Sequence, residues 1–142
     1  MFNAILLPLD IGADDNQRLL EQATTLAKAN AATLHLLTVV PDFGLSIVGS
    51  FFPENYERAA LDEAKAKLDP LAERARTEGV VVEAHVGHGS VYDQILRVAA
   101  HLRCDLIVIG AHRPELRDYL LGPNAARVVR HANQSVLVLR ES

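Results

Sequence analysis

The chain has 142 residues, of which 49% are hydrophobic and 23% charged, and its formal net charge is −4. These values are typical of one folded domain, here residues 1–142, and argue against a nucleic-acid-binding surface, which needs an excess of basic side chains. No apolar stretch reaches the length that a membrane span requires. Cys104 is the only cysteine, which excludes an internal disulfide and favours a reducing, cytoplasmic location.

Apolar runs and helical periodicities alternate along the chain. In chain order we predict a strand over Phe2 to Leu9, a helix from Asp14 to Asn30, a strand over Thr33 to Val40, a helix from Glu54 to Glu78, a strand over Val80 to Val86, a helix from Ser90 to Arg103, a strand over Leu106 to Ile109, a helix that begins at Gly122 and Pro123, and a strand over Val136 to Leu139. This order predicts an α/β fold, an open five-stranded parallel sheet with helices on both faces.

Three local features predict finer detail. Pro70 should kink or break the long helix near Asp69, because proline removes a helix hydrogen bond. Ser90, with Asp93 three residues on, resembles a capping box at the start of the next helix. For the last helix we predict buried side chains at Ala126, Val128 and Val129 and outward ones at Arg127 and Arg130.

The segment from Pro41 to Pro53 is apolar without clear periodicity. The interpretation we favour is a loop packed against the core. The alternative is a mobile cover or a surface for a partner, since exposed apolar patches usually mark contacts.

In a doubly wound sheet, ligands bind beyond the carboxyl ends of the strands, where the winding direction reverses. The two loops best placed for such a crevice follow the first strand, at Pro8 and Asp10, and the fourth strand, from Gly110 to Asn124. A glycine-bearing loop that leads into a helix is suited to hold an anion, because the helix dipole and N–H groups point at one spot.

The common catalytic and metal-binding motifs are missing from the sequence. There is no Walker-type loop, and Gly87-His88-Gly89 is better read as a tight turn than as part of a dinucleotide motif. His85 and His88 straddle a strand end and a turn, so we predict no metal site. Ser90 is explained as a cap, and Cys104 precedes a buried strand with no placed base, so no catalytic triad is predicted.

Asp10 and Arg113 each have two interpretations. Asp10 either caps a turn or the first helix, or accepts hydrogen bonds from ribose hydroxyls, and its position favours the second. Arg113 either lies in solvent or reaches a phosphate through charge-assisted hydrogen bonds.

The sequence resembles the universal stress protein family over essentially its whole length. The resemblance runs from ILLPLD through LLTVVP to GAHRPELRDYLLGPNAARVVRHANQSVLVLR, and the run LLG-x-NAA-x-VVRHA is its most specific part. The similarity is greatest to the short, single-domain branch of the family. It implies an α/β sandwich with strand order 3-2-1-4-5, in agreement with the alternation of elements.

Many members of that family bind ATP, and the resemblance carries their binding positions onto this chain. The implied nucleotide-binding residues are Pro8, Asp10, Val39, Ile109, Gly110, His112, Arg113, Gly122, Asn124 and Ala125. Two positions depart from the family pattern: Arg113 replaces its middle glycine, with one residue fewer before Gly122, and Pro123 replaces a serine or threonine. Because proline offers neither a hydroxyl nor an N–H, phosphate binding should weaken while adenosine recognition is kept.

Two functions from different classes follow. The leading hypothesis is a cytoplasmic stress-response sensor or adaptor that binds an adenine nucleotide, ATP, ADP or AMP, with or without Mg²⁺, and serves an unidentified protein partner. The alternative is a dimeric interaction module that does not use nucleotide, with Pro123 as its motivation. At most slow ATP hydrolysis is expected, because no general base is placed.

A homodimer through the last strand is expected under either hypothesis. Val136, Leu137, Val138 and Leu139 form an apolar strand edge, and an unpaired edge invites pairing with a second copy. The resemblance implies the same interface, since family members commonly dimerise through this strand.

Overall fold

Strands and helices alternate along residues 1–11, 16–40, 56–111 and 122–140, which the computed structural model describes. The elements are β1 (Ala4–Pro8), α1 (Asn16–Asn30), β2 (Thr33–Val40), α2 (Tyr56–Arg76), β3 (Val82–His88), α3 (Val91–His101), β4 (Leu106–Ala111), α4 (Gly122–His131) and β5 (Ser135–Arg140). All neighbouring strands are parallel, and their order is β3-β2-β1-β4-β5. The predicted sheet and the strand order implied by the family resemblance are therefore confirmed.

The core lies on both faces of the three central strands. Helix α1 packs against α2, and α3 packs against α4, so each face of the sheet is covered by a pair of helices. Side chains buried completely include Ile5, Leu7, Leu34, Leu36, Ile107 and Ile109 from the strands and Leu68, Ile95 and Val128 from the helices. Burial on both faces is the reason why these strands read as continuous apolar runs and not as alternating ones.

Three helices end in a left-handed turn at the amino edge of the sheet. Ala31 has φ 54° after α1, Gly79 has φ 88° after α2, and Arg103 has φ 55° after α3. The turns after the first and third helices are closed by backbone hydrogen bonds from Ala32 N–H to the Ala27 carbonyl and from Cys104 N–H to the Ala99 carbonyl, both 2.9 Å long. Each turn lets the chain leave its helix and enter the next strand within a few residues.

Pro70 does not break α2, which continues from Tyr56 to Arg76. The prediction of a break was wrong because Pro70 and Ala66 lie on the exposed side of the helix, where water can replace the hydrogen bond that proline removes. Leu68 and Ala72, on the opposite side, are buried in the core. Tertiary packing therefore outweighs the local cost of the proline.

Two other local predictions need correction. Ser90 is the N-cap of α3, with extended backbone angles, but its side chain makes no capping hydrogen bond, so the predicted capping box does not form. In α4, Val128 is buried, whereas Ala126 is exposed and Val129 is 52% exposed. The half-buried Asn124 and Ala125 lie on the Val128 side instead, because residues three and four positions apart share a helix face.

Candidate functional site

The strands β1 and β4 are hydrogen-bonded only near their amino ends. Their paired register consists of Ile5↔Leu106 and Leu6↔Ile107, whereas β1 remains paired with β2 as far as Pro8↔Leu37. The β4–β5 pairing also continues to the last residue of β4, Ala111. At the carboxyl edge, β1 therefore stays paired with β2, and β4 with β5, but β1 and β4 separate from each other. This position is the switch point of the winding.

Pro8 gives a physical reason for this division. The backbone of Ala4 faces β4, since its carbonyl accepts a hydrogen bond from Asp105 N–H, and the backbone of Leu9 faces β2, since its N–H donates to the Leu37 carbonyl. Alternation along the strand then turns the backbone of Pro8 toward β4. Because proline has no N–H, the β1–β4 ladder loses a donor at this residue.

Asp10 is fixed at the end of β1 by the first residue of α1. The side-chain amide of the buried Asn16 donates a hydrogen bond to the Asp10 carbonyl. The backbone of Asp10 is thus held between the strand and the helix, and its side chain is half-buried at the carboxyl edge. This position is the one that the sequence predicts for a ribose-binding carboxylate.

Three other predicted site residues lie in the sheet below this edge. Val39, near the end of β2, and Ile109, in β4, are buried, and Ile109 is completely inaccessible. Gly110 is the fifth residue of β4 and pairs with Leu139, so it belongs to the strand and not to the loop that the sequence predicts. Backbone and packed side chains at these three positions therefore form a rigid, largely apolar layer beneath the edge.

The amino end of α4 contributes a favourable electrostatic field. The helix begins at Gly122, as predicted, has no acidic residue in its first turn, and carries Arg130 and His131 in its last turn. In a right-handed crossover the helix that follows β4 begins at the carboxyl edge of the sheet. The positive end of its dipole, with Asn124 and Ala125 in the first turn, therefore lies at the same edge as Asp10 and Gly110.

A contact between β3 and α2 completes the described part of this edge. His88 Nδ1 lies 3.3 Å from Glu57 Oε1 in the first turn of α2. Gly89, with φ 116°, turns the chain after β3, and its N–H donates to the Val40 carbonyl at 3.0 Å. The predicted tight turn at Gly87-His88-Gly89 thus falls on Gly89, and β3 includes the first two residues.

Sequence reasoning missed two basic residues at the edge. Arg18 of α1 and Arg140 at the end of β5 line, with Gly110 and Ala111, a cavity of about 10 Å³, the size of one water molecule. Arg18 is in the first turn of a helix and Arg140 is the last residue of a strand. Only the folded sheet brings these two positions together, so no local sequence signal could have indicated them.

His112 and Arg113 lie outside the described residues, and so does the segment from Pro41 to Pro53. Within the described ranges, the structure has no helix that is both long and apolar enough to cross a membrane.

Comparison with known proteins gives one consistent result. Residues 1–140 match the Universal stress protein family. Universal stress protein G of Shigella flexneri is 32% identical over 143 aligned positions, which cover 99% of this chain and all of that protein. The solved structure of the hypothetical protein MJ0577 superposes with a TM-score of 0.81 at 26% identity and covers 100% of this chain and 98% of its own. The universal stress protein of Archaeoglobus fulgidus, solved in complex with dAMP, gives a TM-score of 0.71 at 22% identity, with 96% of each chain covered.

Proposed function

The chain belongs to the universal stress protein family, and from this premise we propose that it binds an adenine nucleotide where β1 and β4 divide. The proposed ligand is ATP, ADP or AMP, with or without Mg²⁺. Binding then changes the surface that the protein presents to a protein partner, as expected of a stress-response sensor or adaptor. We place this role in the cytoplasm, as predicted from the single cysteine.

The observation that carries the proposal is the early end of the β1–β4 ladder at Leu6↔Ile107. We place the proposed crevice at this switch point, with Asp10 on one side and Gly110 on the other. Asp10 is the proposed acceptor for ribose hydroxyls. Pro8 and Val39 form the proposed apolar wall for the base and sugar, and the completely buried Ile109 supports it from below. The dAMP complex of the protein from Archaeoglobus fulgidus is consistent with an adenine nucleotide as the ligand class for this fold.

The phosphates are assigned to the amino end of α4. The helix dipole and the N–H groups of Asn124 and Ala125 are the proposed anion-binding elements, with Gly122 permitting close approach. His112 and Arg113 are proposed contacts on the resemblance alone. Pro123 supplies no N–H and no hydroxyl. Relative to the serine or threonine of the family pattern, one charge-assisted hydrogen bond to phosphate, worth roughly 1.5–3 kcal/mol, is therefore lost. This corresponds to about one to two powers of ten in affinity for ATP.

Isothermal titration with ATP, AMP and adenosine tests the proposal. We expect saturable binding of all three, with ATP at most about tenfold tighter than adenosine. Pro123→Ser should strengthen ATP binding by about tenfold or more and leave adenosine unchanged. Val129→Ser is the matched control, since Val129 is exposed on the same helix, two turns from the phosphate end. Absence of saturable binding by the wild-type protein at millimolar ligand contradicts the proposal.

The alternative function, an interaction module that does not use nucleotide, is favoured by the exposed edge of the sheet. Strand β5 is an edge strand, and Leu137 at its centre is 38% exposed. Tight ATP binding that is gained only in Pro123→Ser supports this alternative. It would mean that the fold can still bind the phosphates of ATP but that the natural residue at position 123 prevents tight binding.

We propose a homodimer through β5 under either function, with Val136, Leu137, Val138 and Leu139 at the interface. A flat apolar edge gains hydrogen bonds and buried surface when it pairs with a symmetry-related copy. Sedimentation equilibrium should show a dimer whose dissociation constant rises at least about tenfold in Leu137→Lys, since a charge on the strand edge opposes pairing. Val81→Lys, at an exposed position beside β3, is the control; a monomeric wild-type protein at micromolar concentration contradicts the dimer.

A further inference from the structure

Three metal-ligating side chains meet on one face of the sheet, away from the carboxyl edge. His35 of β2 is paired in register with Glu83 of β3, and His85 follows two residues later on β3. Side chains two residues apart on a strand share a face, and the same face of β3 is directed at α3, because a Cβ on Gly87 would lie 2.9 Å from the Gln94 side-chain oxygen. The cluster therefore lies on the α3 side of the sheet.

The distances within this cluster are close to those of a tetrahedral metal site. His35 Nδ1 is 3.0 Å from His85 Nε2, and His85 Nε2 is 4.0 Å from Glu83 Oε1. One ligand atom from each of the three side chains lies within 4.8 Å of the other two. The ligand atoms of a tetrahedral zinc ion lie about 3.3 Å apart, because each is roughly 2.0–2.1 Å from the metal. Small side-chain rotations would thus bring all three atoms to coordination distance.

The protonation states of the cluster also suit a metal. Burial lowers the pKa of His35, against the raising effect of the Glu83 charge. Burial is also the main cause of the lowered pKa of His85, followed by the proximity of His35. Both rings are therefore neutral at pH 7, which is the form that binds metals. Without metal the two facing nitrogens share one proton; metal binding moves that proton to the other nitrogen of the donating ring, so both lone pairs become available.

The three side chains differ in exposure, so that one is held rigidly and two can be reached by a metal ion from solvent. His35 is only 5% exposed and is held within β2. The His85 and Glu83 side chains are 26% and 56% exposed at the open side of the edge strand β3. A metal ion can thus reach the cluster from solvent, and water can complete its coordination sphere. His35 is buried and fixed, so the ion meets one preplaced ligand and two that can adjust.

We propose that His35, Glu83 and His85 form a binding site for a divalent transition-metal ion, with Zn²⁺ as the best-matched ion. Two imidazoles and one carboxylate are a typical zinc ligand set, whereas Mg²⁺ and Ca²⁺ prefer sites made of oxygen atoms. His35 is four residues, about 13 Å, along β2 from Val39 at the carboxyl edge. The site is thus separate from the proposed nucleotide site, and its metal would act on the fold or on a partner.

Titration calorimetry with ZnCl₂ on the chelator-treated, untagged full chain at pH 7.5 tests this site. We expect one strong Zn²⁺ equivalent per chain and no comparable binding of Mg²⁺. His85→Ala removes one ligand and should lower the Zn²⁺ affinity of the strong site at least about tenfold. Even the loss of a residue that only hydrogen-bonds to a metal ligand lowers metal affinity roughly 10–100-fold. His131→Ala is the matched control, because it removes an exposed histidine on α4 and should leave the strong equivalent in place.

A second variant and a spectroscopic measurement locate the ion. Glu83→Gln changes an exposed side chain, so the fold is preserved, and it should weaken Zn²⁺ binding by removing the anionic ligand. In NMR spectra, Zn²⁺ should shift the ring signals of His35 and His85 and leave those of His131 unchanged. The proposal is overturned if the wild-type protein lacks a strong equivalent, if His85→Ala binds Zn²⁺ as tightly as wild type, or if the ring signals of His35 and His85 do not move. None of these results bears on nucleotide binding.

Discussion

The two ends of the β1–β4 pair differ in how they are held together. At the amino end, the Asp105 carboxylate accepts hydrogen bonds from Asn3 N–H at 2.9 Å and Ala4 N–H at 3.1 Å. The Asp105 N–H in turn donates to the Ala4 carbonyl at 2.9 Å. At the carboxyl end, the paired register stops at Leu6↔Ile107 and Pro8 brings no donor. One pair of strands is thus locked at one edge and left divided at the other.

This difference assigns separate tasks to the two edges. The amino edge carries charged and polar groups that are satisfied within the fold, which is the arrangement of a stability element. The carboxyl edge carries a helix dipole, a carboxylate and a break in the ladder, and it is where we propose the binding site. Substitutions at the amino edge should therefore change the free energy of unfolding, and substitutions at the carboxyl edge should change the affinity for the ligand.

The largest effect is expected from Asp105→Ala. This change leaves the Asn3 and Ala4 N–H groups without their charged acceptor and should lower the free energy of unfolding by about 2 kcal/mol. Urea unfolding monitored by circular dichroism measures the loss. Asp105→Asn keeps a neutral acceptor and should lose less. Adenosine affinity should be unchanged in both variants; a loss of affinity at unchanged stability contradicts the separation of tasks.

Pro8→Ala tests the divided edge. The alanine brings an N–H that faces β4 and can extend the ladder by one hydrogen bond, worth about 1 kcal/mol. A ligand would have to break this bond, so adenosine affinity should fall about fivefold, as measured by titration calorimetry. Pro70→Ala removes an exposed proline from α2 and is the matched control, with no change in affinity. Equal affinity of Pro8→Ala and wild type is the result that speaks against a role for the division.

A smaller effect is expected from pH at the His35–His85 pair, in the amino half of the sheet. Because the pKa of both rings is lowered in the folded state, the unfolded chain binds more protons below its ordinary pKa of about 6.5. Stability is therefore complete above that pH and declines as pH falls below it.

Urea unfolding of chelator-treated, metal-free wild type and His85→Ala at pH 7.5, 6.5 and 5.5 measures this dependence. The decline should be shallower in the variant, since one of the two titrating rings is gone. Nearby charges on Glu83, His101 and Lys65 are the same in both proteins. Identical pH profiles of the two proteins contradict the assignment.

The smallest effect concerns Cys104, beside Asp105 at the locked edge. Burial, together with the neighbouring Asp105 charge, raises the pKa of the Cys104 thiol to about 11. The thiol therefore stays protonated at pH 8 and should react with Ellman's reagent only after the protein unfolds. Denatured protein in urea is the control that gives the full colour change; rapid reaction of the native protein contradicts a locked amino edge.

Much of the fold could be predicted because its signals are local. The run from Thr33 to Val40 is rich in leucine and valine, and β2 has the same limits. The long helix was also predictable from its periodicity, but its continuity through Pro70 was not, because continuity depends on the core contacts of Leu68 and Ala72. Likewise, the run from Asn124 to Val129 has apolar residues on several sides of a helix, and only the position of the sheet selects Val128.

The candidate sites follow the same division between local and distant signals. Pro8, Asp10 and Gly110 could be picked out because each stands at the end of an apolar run, where ligands bind in this class of fold. The hydrogen bond between His35 and His85 joins residues 50 positions apart, and only the β2–β3 register reveals it. The sequence spacing pairs His85 with His88, whereas in the fold His85 is hydrogen-bonded to His35 on the neighbouring strand.

The left-handed turns that close α1 and α3 have a practical consequence for protein engineering. Ala31 and Arg103 occupy a backbone conformation that costs an L-amino acid roughly 1–2 kcal/mol and that glycine adopts freely. Glycine loses more entropy on folding, so the net gain from Ala31→Gly or Arg103→Gly is at most about 1 kcal/mol each. A chain that carries both glycines should therefore tolerate destabilising variants better, such as His35→Gln, which replaces a buried imidazole that is hydrogen-bonded to His85.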